Sequence, residues 1–291
     1  MQDILDKIEQ RRARVVVIGT GYVGLPLLIE LAKAGFVVTG YDKDVEKVQM
    51  LARGESYIAD IPSSALAPLV SAGKLTATSD PDVLAEADAV VVCVPTPLNK
   101  TKDPDMRFIA SATEEIAARQ HKGMLIVLES TTYPGTSREV LVPHLTQGGF
   151  VLGEDVFIAF SPERVDPGNK RYFTHNTPKV IGGATPGCLR VATALYQTII
   201  ETLVPVSSTD SAEMVKLLEN TFRAAGSRRQ MDGALQHRLL ALRAARAAEE
   251  AVRAARRARG RQGDARRGGR LHEARHRPGQ GRVLRRGERA R

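Results

Sequence analysis

The chain contains no tryptophan, only two cysteines, and few aromatic residues, 4% of the total. Cys93 and Cys188 are too few for a disulfide framework, or for a four-ligand zinc site without help from histidine. No run of about 18 apolar residues occurs, so a membrane-spanning helix is excluded. The first ten residues are charged and helix-like, unlike a secretory signal. These absences predict a soluble, cytoplasmic protein. Lysine is missing too, but only from one region. Of the 42 Lys+Arg and 33 Asp+Glu that give the 291 residues a formal +9, residues 224–291 hold 20 Arg, no Lys and 6 acids, a net of +14. Residues 1–223 therefore carry 22 bases against 27 acids, a net of −5. The basic balance belongs entirely to the tail.

The tail also lacks Ile, Phe, Tyr, Asn, Thr, Cys and Trp, and 44 of its 68 positions are Arg, Ala or Gly. So few core-forming side chains predict no compact fold over 260–291. Residues 235–258 are still expected to favour a helix, because Ala, Leu and Arg are strong helix formers. A composition without the residues of AT-rich codons is what GC-rich DNA gives when translated in a shifted frame. A basic arm that holds nucleic acid nonspecifically through phosphate contacts is the alternative. The tail has no aromatic side chains for stacking on bases.

Before residue 223, Val/Ile-rich runs alternate with helical patterns, as in βαβ units around a parallel sheet. The runs fall at 14–18, 36–41, 89–94, 124–128, 156–160, 179–181 and 203–206. They are continuously apolar rather than alternating, as expected of strands covered on both faces. Helical stretches lie at 25–34, 45–52, 106–119 and 189–200. The expected fold is α/β, a doubly wound Rossmann-type sheet over 1–207. A further helix begins within 208–223, opening on the capping pattern Asp210-Ser211-Ala212-Glu213, and the basic tail occupies 224–291.

The run 14–18 leads into Gly19-Thr20-Gly21-Tyr22-Val23-Gly24 and then a helical pattern. GxGxxG is informative only in this strand-to-helix setting. Gly19 permits the tight turn, Gly21 lets a pyrophosphate approach the backbone, and Gly24 lets helix and strand pack closely. Tyr22 and Val23 complete the cofactor loop, and amides at the helix start suit phosphate. Asp42 lies 18 residues past Gly24, at the end of the second strand, where a carboxylate accepts from ribose hydroxyls and repels a 2′-phosphate. The expected cofactor is NAD.

Gly19–Pro26 read GTGYVGLP. They are followed by Val92-Cys93-Val94-Pro95-Thr96-Pro97, by Glu129-Ser130-Thr131-Thr132-Tyr133-Pro134-Gly135, and by Ser161-Pro162-Glu163-Arg164. With these motifs in order, the first 223 residues resemble the UDP-glucose/GDP-mannose dehydrogenase family. The stretch SPERVDPGN at 161–169 looks most like its branch acting on UDP-N-acetylglucosamine or the mannosamine relative. The resemblance implies oxidation of a UDP-sugar's primary alcohol to a carboxylate by two NAD, for polysaccharide biosynthesis. A cysteine captures the aldehyde as a thioester precursor.

It assigns Glu163 to managing water and proton, Thr131 to positioning that water, and Lys216 and Asn220 to the developing oxyanion. A separation of four places Lys216 and Asn220 on one helical face, although alone they read as a solvated face. Pro95, Thr96, Ser130 and Thr131 follow strand ends and are expected to line the cofactor crevice.

The departures from the family pattern are equally specific. Its cysteine sits in a Gly-Gly-His-Cys-type motif beyond the lysine helix, and here no cysteine follows Cys188. Cys93 reads as a small core residue in a strand, and Cys188 opens a helix on the wrong side of Lys216 in sequence. The family's homo-oligomerisation segment and UDP-binding domain have no counterpart after Arg223. The expectation is therefore a truncated enzyme without normal turnover. A noncatalytic NAD-binding module or a basic-tailed interaction protein is the alternative. No metal site is expected.

Overall fold

The computed structural model describes residues 1–97, 104–163, 174–224 and 242–254. The chain divides into two units, Met1–Glu249 and Glu250–Arg291. Of the second, only residues 250–254 are described, and they are helical. The expectations for 260–291, and positions 164–169 of the SPERVDPGN stretch, lie outside the described residues. Of the helix expected over 235–258, residues 242–254 are described and helical.

The first unit is built on one eight-stranded sheet. Its strands are β1 (Arg14–Ile18), β2 (Val37–Tyr41), β3 (Leu75–Thr78), β4 (Ala89–Val92), β5 (Met124–Leu128), β6 (Val156–Phe160), β7 (Lys179–Gly183) and β8 (Leu203–Val206). They lie in the order β3-β2-β1-β4-β5-β6-β7-β8. All neighbours are parallel except β6 and β7, which meet antiparallel with Ala159 opposite Gly183. The direction of chain growth across the sheet reverses between β1 and β4. In open α/β sheets such a switch point is where a crevice forms.

The apolar strands are explained by their two covered faces. In β1, Val15 and Val17 enter one core with Leu25, Leu28, Phe157 and Cys188, while Val16 and Ile18 enter the other with Ile109, Ile126 and Phe160. Helices α1 (Gln2–Glu9), α2 (Gly24–Lys33) and α7 (Pro186–Tyr196) supply the first layer. Helices α3 (Val45–Ala52) and α4 (Ala67–Ser71) add residues to the first, and α5 (Arg107–Ala117), α6 (Val142–Thr146) and α8 (Thr209–Ala224) supply residues to the second. Ala244, Ala245 and Ala248 are buried in that second cluster. Among the described residues, no helix is long and apolar enough to cross a membrane.

Candidate functional site

A cleft of about 530 Å³ opens at the carboxyl ends of β1, β2, β4, β5 and β6. Gly19, Gly21, Tyr22, Val23, Asp42, Cys93, Pro95, Thr96, Glu129, Ser130, Thr131 and Glu163 all line it. Gly24 lies behind the lining, at the start of α2.

The three glycines have different physical reasons. Gly19 sits at φ +88°, and a Cβ there would stand 2.7 Å from the Cys93 carbonyl oxygen. Gly24 is packed so tightly that a Cβ would fall 1.9 Å from the Gly19 carbonyl oxygen. A Cβ on Gly21 would meet no protein atom within 4 Å, so the backbone there faces open cleft. No side chain caps the N-terminus of α2. An open glycine beside uncapped helix amides is a cradle for a pyrophosphate.

Asp42 follows β2, and its carboxylate is held from three directions. Oδ2 accepts from the Thr20 amide at 2.9 Å and the Thr20 hydroxyl at 2.8 Å, and Oδ1 accepts from the Asp44 amide at 3.0 Å. Burial works against the charge, but these hydrogen bonds outweigh it and hold the pKa below the usual carboxylate range. A carboxylate offers about four lone pairs, which leaves Oδ1 a position for a further donor. The Tyr57 hydroxyl donates to the Thr20 carbonyl at 2.6 Å and fixes the loop from below.

Asp42 and Glu129 are separated by the ends of β1 and β4, three strand spacings or about 14 Å. The far end of the cleft is chemically different from the Asp42 end. Lys179, at the start of β7, places its ammonium 3.0 Å from Glu129 Oε2 and 3.4 Å from Glu163 Oε2. The Tyr196 hydroxyl donates to Glu129 Oε1. The side chains of Glu129, Lys179 and Glu163 are 0%, 5% and 11% exposed.

Burial pushes Glu129 up to about 7, with Lys179 pulling the other way and Glu163 adding to the rise. Burial works against the charge on Lys179, but the two carboxylates outweigh it and hold the ammonium charged.

Composition and spacing do not single out Lys179, Tyr196 or the role of Glu129. One signal was available: a lysine at the head of a strand covered on both faces must find a buried acid.

Lys216, on α8, donates through its ammonium to the Glu163 carbonyl oxygen, so these two residues are brought together. Asn220 lies one turn further along α8, and its side chain lies outside the described residues. Thr131 is exposed beside Ser130, whose hydroxyl donates to the Val94 carbonyl at 2.7 Å. Glu213, also on α8, accepts from the Gly135 and Ser137 amides at 2.5 and 2.8 Å, which fixes the end of the Glu129–Gly135 loop.

Both cysteines are buried. Cys93 lies just past the end of β4 rather than within it, and lines the cleft. Burial and then the Glu129 and Glu163 carboxylates push its pKa well above the usual value. Cys188 is fully buried in the core that faces α2 and α7, and its Sγ accepts from the Ile158 amide at 3.3 Å. Among the described residues, no group of three or more His, Cys, Asp or Glu is arranged to hold a metal ion.

Comparison with known proteins fits this geometry. The NAD binding domain of the UDP-glucose/GDP-mannose dehydrogenase family matches residues 13–200. The UDP-N-acetyl-D-glucosamine 6-dehydrogenase of Pseudomonas aeruginosa is 36% identical over 212 residues, 72% of this chain and 49% of that protein. The UDP-N-acetyl-D-mannosamine dehydrogenase of Pyrococcus horikoshii is 35% identical over 214 residues, 72% of this chain and 50% of its own length.

Among solved structures, the UDP-N-acetyl-mannosamine dehydrogenase of Staphylococcus aureus superposes with a TM-score of 0.68 at 31% identity. It is covered over 50% of its length by 72% of this chain. The chain thus spans about half the length of the curated relatives it matches. With a matched profile, a switch-point cleft and a glycine cradle, the chain belongs to the UDP-glucose/GDP-mannose dehydrogenase family and carries its NAD-binding domain.

Proposed function

We propose that this chain provides the NAD-binding half of a nucleotide-sugar 6-dehydrogenase whose substrate is a UDP-N-acetylhexosamine, and that it does not by itself produce the uronic acid. The observation that carries this reading is the single cleft with Asp42 at one end and Glu163 at the other. Gly19, Gly21, Tyr22, Val23 and Gly24 hold the pyrophosphate, and Asp42 takes an adenosine-ribose hydroxyl. Pro95, Thr96, Ser130 and Thr131 line the far half. When bound, NAD supplies the hydride acceptor for alcohol oxidation.

In this reading Glu163 moves the proton, and Thr131 positions the water beside it. Lys216 and Asn220 supply positive charge and a donor to the developing oxyanion. The Lys216 contact with the Glu163 backbone supports that placement. The same reading puts the protein in the cytoplasm, in keeping with two free, buried thiols. Assembly with further copies belongs to the whole family protein and is not carried by this cleft.

The chemistry after the first oxidation requires a nucleophile. Release of a hydride from an aldehyde needs a tetrahedral adduct, and Cys93 is held protonated while Cys188 is fully buried in the core beside α2 and α7. The expected result is no sustained NADH formation with UDP-N-acetylglucosamine and no uronic acid by product analysis. Two NADH per sugar, surviving Cys188→Ser, would refute the proposal.

A further inference from the structure

The end of β2 carries opposed charges for a nucleotide. Asp42 repels a 2′-phosphate, yet Lys43 follows it and Lys47 stands in the first turn of α3, and all three line the cleft. A lysine left free beside that carboxylate would give a 2′-phosphate a cationic partner, as a neighbouring basic side chain does in NADP-binding sheets. Both lysines are engaged elsewhere. Lys43 Nζ lies 2.8 Å from Glu115 Oε1 and donates to Ser111 Oγ at 3.2 Å. Lys47 Nζ lies 3.4 Å from Asp44 Oδ2. The partners of Lys43 come from α5, which presents Phe108, Ser111, Ala112 and Glu115 to the cleft along one helical face.

Glu115 is the fixed member of the pair. Its Oε2 accepts from the Tyr41 hydroxyl at 2.7 Å, and Tyr41 is buried at the end of β2. Burial and then the Glu115 carboxylate push the Tyr41 pKa up, so that hydroxyl stays a donor. Burial works against the charge on Glu115, but the hydrogen bonds from Lys43 and Tyr41 outweigh it and hold the carboxyl below its usual range. The Glu115 side chain is 21% exposed and that of Lys43 is 68% exposed. The lysine is therefore the member able to move, and moving it towards a phosphate abandons a carboxylate that cannot follow. Arg119, one turn along α5, has its Nη1 3.5 Å from the Glu115 carbonyl oxygen and its Nε 2.8 Å from Asp82 Oδ1, and it does not line the cleft.

We propose that Glu115 helps set the preference of this cleft for NAD over NADP, as a positioning residue that holds the Lys43 ammonium against α5 instead of leaving it to a 2′-phosphate. The inference deepens the NAD-cleft reading and rests on it. Asp42 opposes the phosphate by its own charge, and Glu115 takes away the cation that would answer it. NAD has no phosphate at that hydroxyl, so the engagement of Lys43 costs it nothing there. The two cofactors differ only in that group, and a residue that acts through Lys43 must move one affinity and spare the other.

Titration of the full chain with NAD, with NADP read by competition against NAD, tests this on the parent and on Glu115→Gln. Glutamine keeps the length and an acceptor for Tyr41 but not the charge that holds Lys43. The ratio of NADP to NAD affinity should rise about two- to fivefold, the worth of an exposed ion pair, and should do so through tighter NADP. A loosened fold would weaken both cofactors and tighten neither, so a merely structural role does not give this result. The gain should vanish when Lys43→Met is added and remain when Lys47→Met is added instead. If Glu115→Gln does not fold, Glu115→Ala carries the same test, because alanine is the strongest helix former and preserves α5. An unchanged ratio, a ratio raised only by weaker NAD, or a gain that survives Lys43→Met overturns the inference and leaves the NAD cleft intact. Failure of the parent to bind NAD overturns the cleft reading and the inference together.

Discussion

Replacing Gly21 with valine separates cofactor binding from folding more cleanly than any other change in the loop. The backbone at Gly21 does not need the left-handed region, and an added Cβ meets no protein atom within 4 Å. The substitution should therefore shift unfolding stability by no more than about 0.5 kcal/mol, the usual range for a change away from packed groups. The three added carbons stand where the pyrophosphate must approach. Losing one charge-assisted hydrogen bond from the helix amides costs about 1.5–3 kcal/mol, which is roughly a 10- to 150-fold loss of NAD affinity. Gly24→Ala is the contrasting case. Its Cβ falls 1.9 Å from the Gly19 carbonyl oxygen, so the backbone must move, at an overpacking cost of about 1–3 kcal/mol or more. Urea unfolding and NAD titration on both variants give the comparison. If Gly21→Val binds NAD within about threefold of the parent, given that 1.4 kcal/mol is tenfold, the pyrophosphate does not lie on this loop. If it unfolds as readily as Gly24→Ala, the loop is not the open cradle described.

Asp42→Ala should weaken NAD and narrow its advantage over NADP, measured by titrating both. It should also lower stability by about 1–3 kcal/mol, because the Thr20 and Asp44 amides lose their acceptor. Since the folded pKa of Asp42 is depressed, that contribution is present above pH ~4 and is lost as pH falls through the folded value, which an acid-side urea series on parent and variant would show. Glu213 has the opposite sign. Burial raises its folded pKa to about 7, so its contribution favours folding below its ordinary pKa of 4.5 and declines as pH rises through 7. The difference between parent and Glu213→Gln should follow that course, and a difference independent of pH would contradict it. For the tail, the DNA beyond the Arg223 codon should encode, one base over, a continued helix and a Gly-Gly-His-Cys-type segment. Stop codons crowding that frame would argue for a genuine basic arm.

The sheet was legible in the sequence where burial on both faces left continuous apolar runs, as in β1, β5 and β6. Those three strands begin and end where the Val/Ile pattern does. Strand β3 gave no such signal. Leu75-Thr76-Ala77-Thr78 is a short edge strand with one large apolar side chain, and its pairing with β2 supplies what its own pattern lacks. The antiparallel joint between β6 and β7 likewise has no local signature. In the site, the glycine loop was readable because each glycine answers a backbone requirement within a few residues. The Glu129–Lys179–Tyr196 cluster was not, since its members are 50 and 67 residues apart and meet only once β5, β7 and α7 are assembled. Motif reading found Glu129 only as a letter between a strand and a serine.

The cleft draws almost everything it needs from the carboxyl ends of five strands, and this has a consequence for how binding and chemistry divide. Tyr41 and Asp42 close β2, Gly19 closes β1, Cys93 closes β4, Glu129 closes β5 and Glu163 follows β6. Their positions are fixed by strand pairing, which is the most rigid element available. Lys216 belongs to a different class. It reaches the site from α8, touches the backbone of Glu163, and is not part of the cleft lining. Lys216 and Asn220 therefore depend on α8 and on the chain around it, whereas the groups that hold the cofactor depend on the sheet, the start of α2 and α5. A change after Arg223 can remove turnover without disturbing the residues that line the NAD cleft. That separation is why cofactor affinity and its response to Gly21→Val are measurements this chain can answer directly.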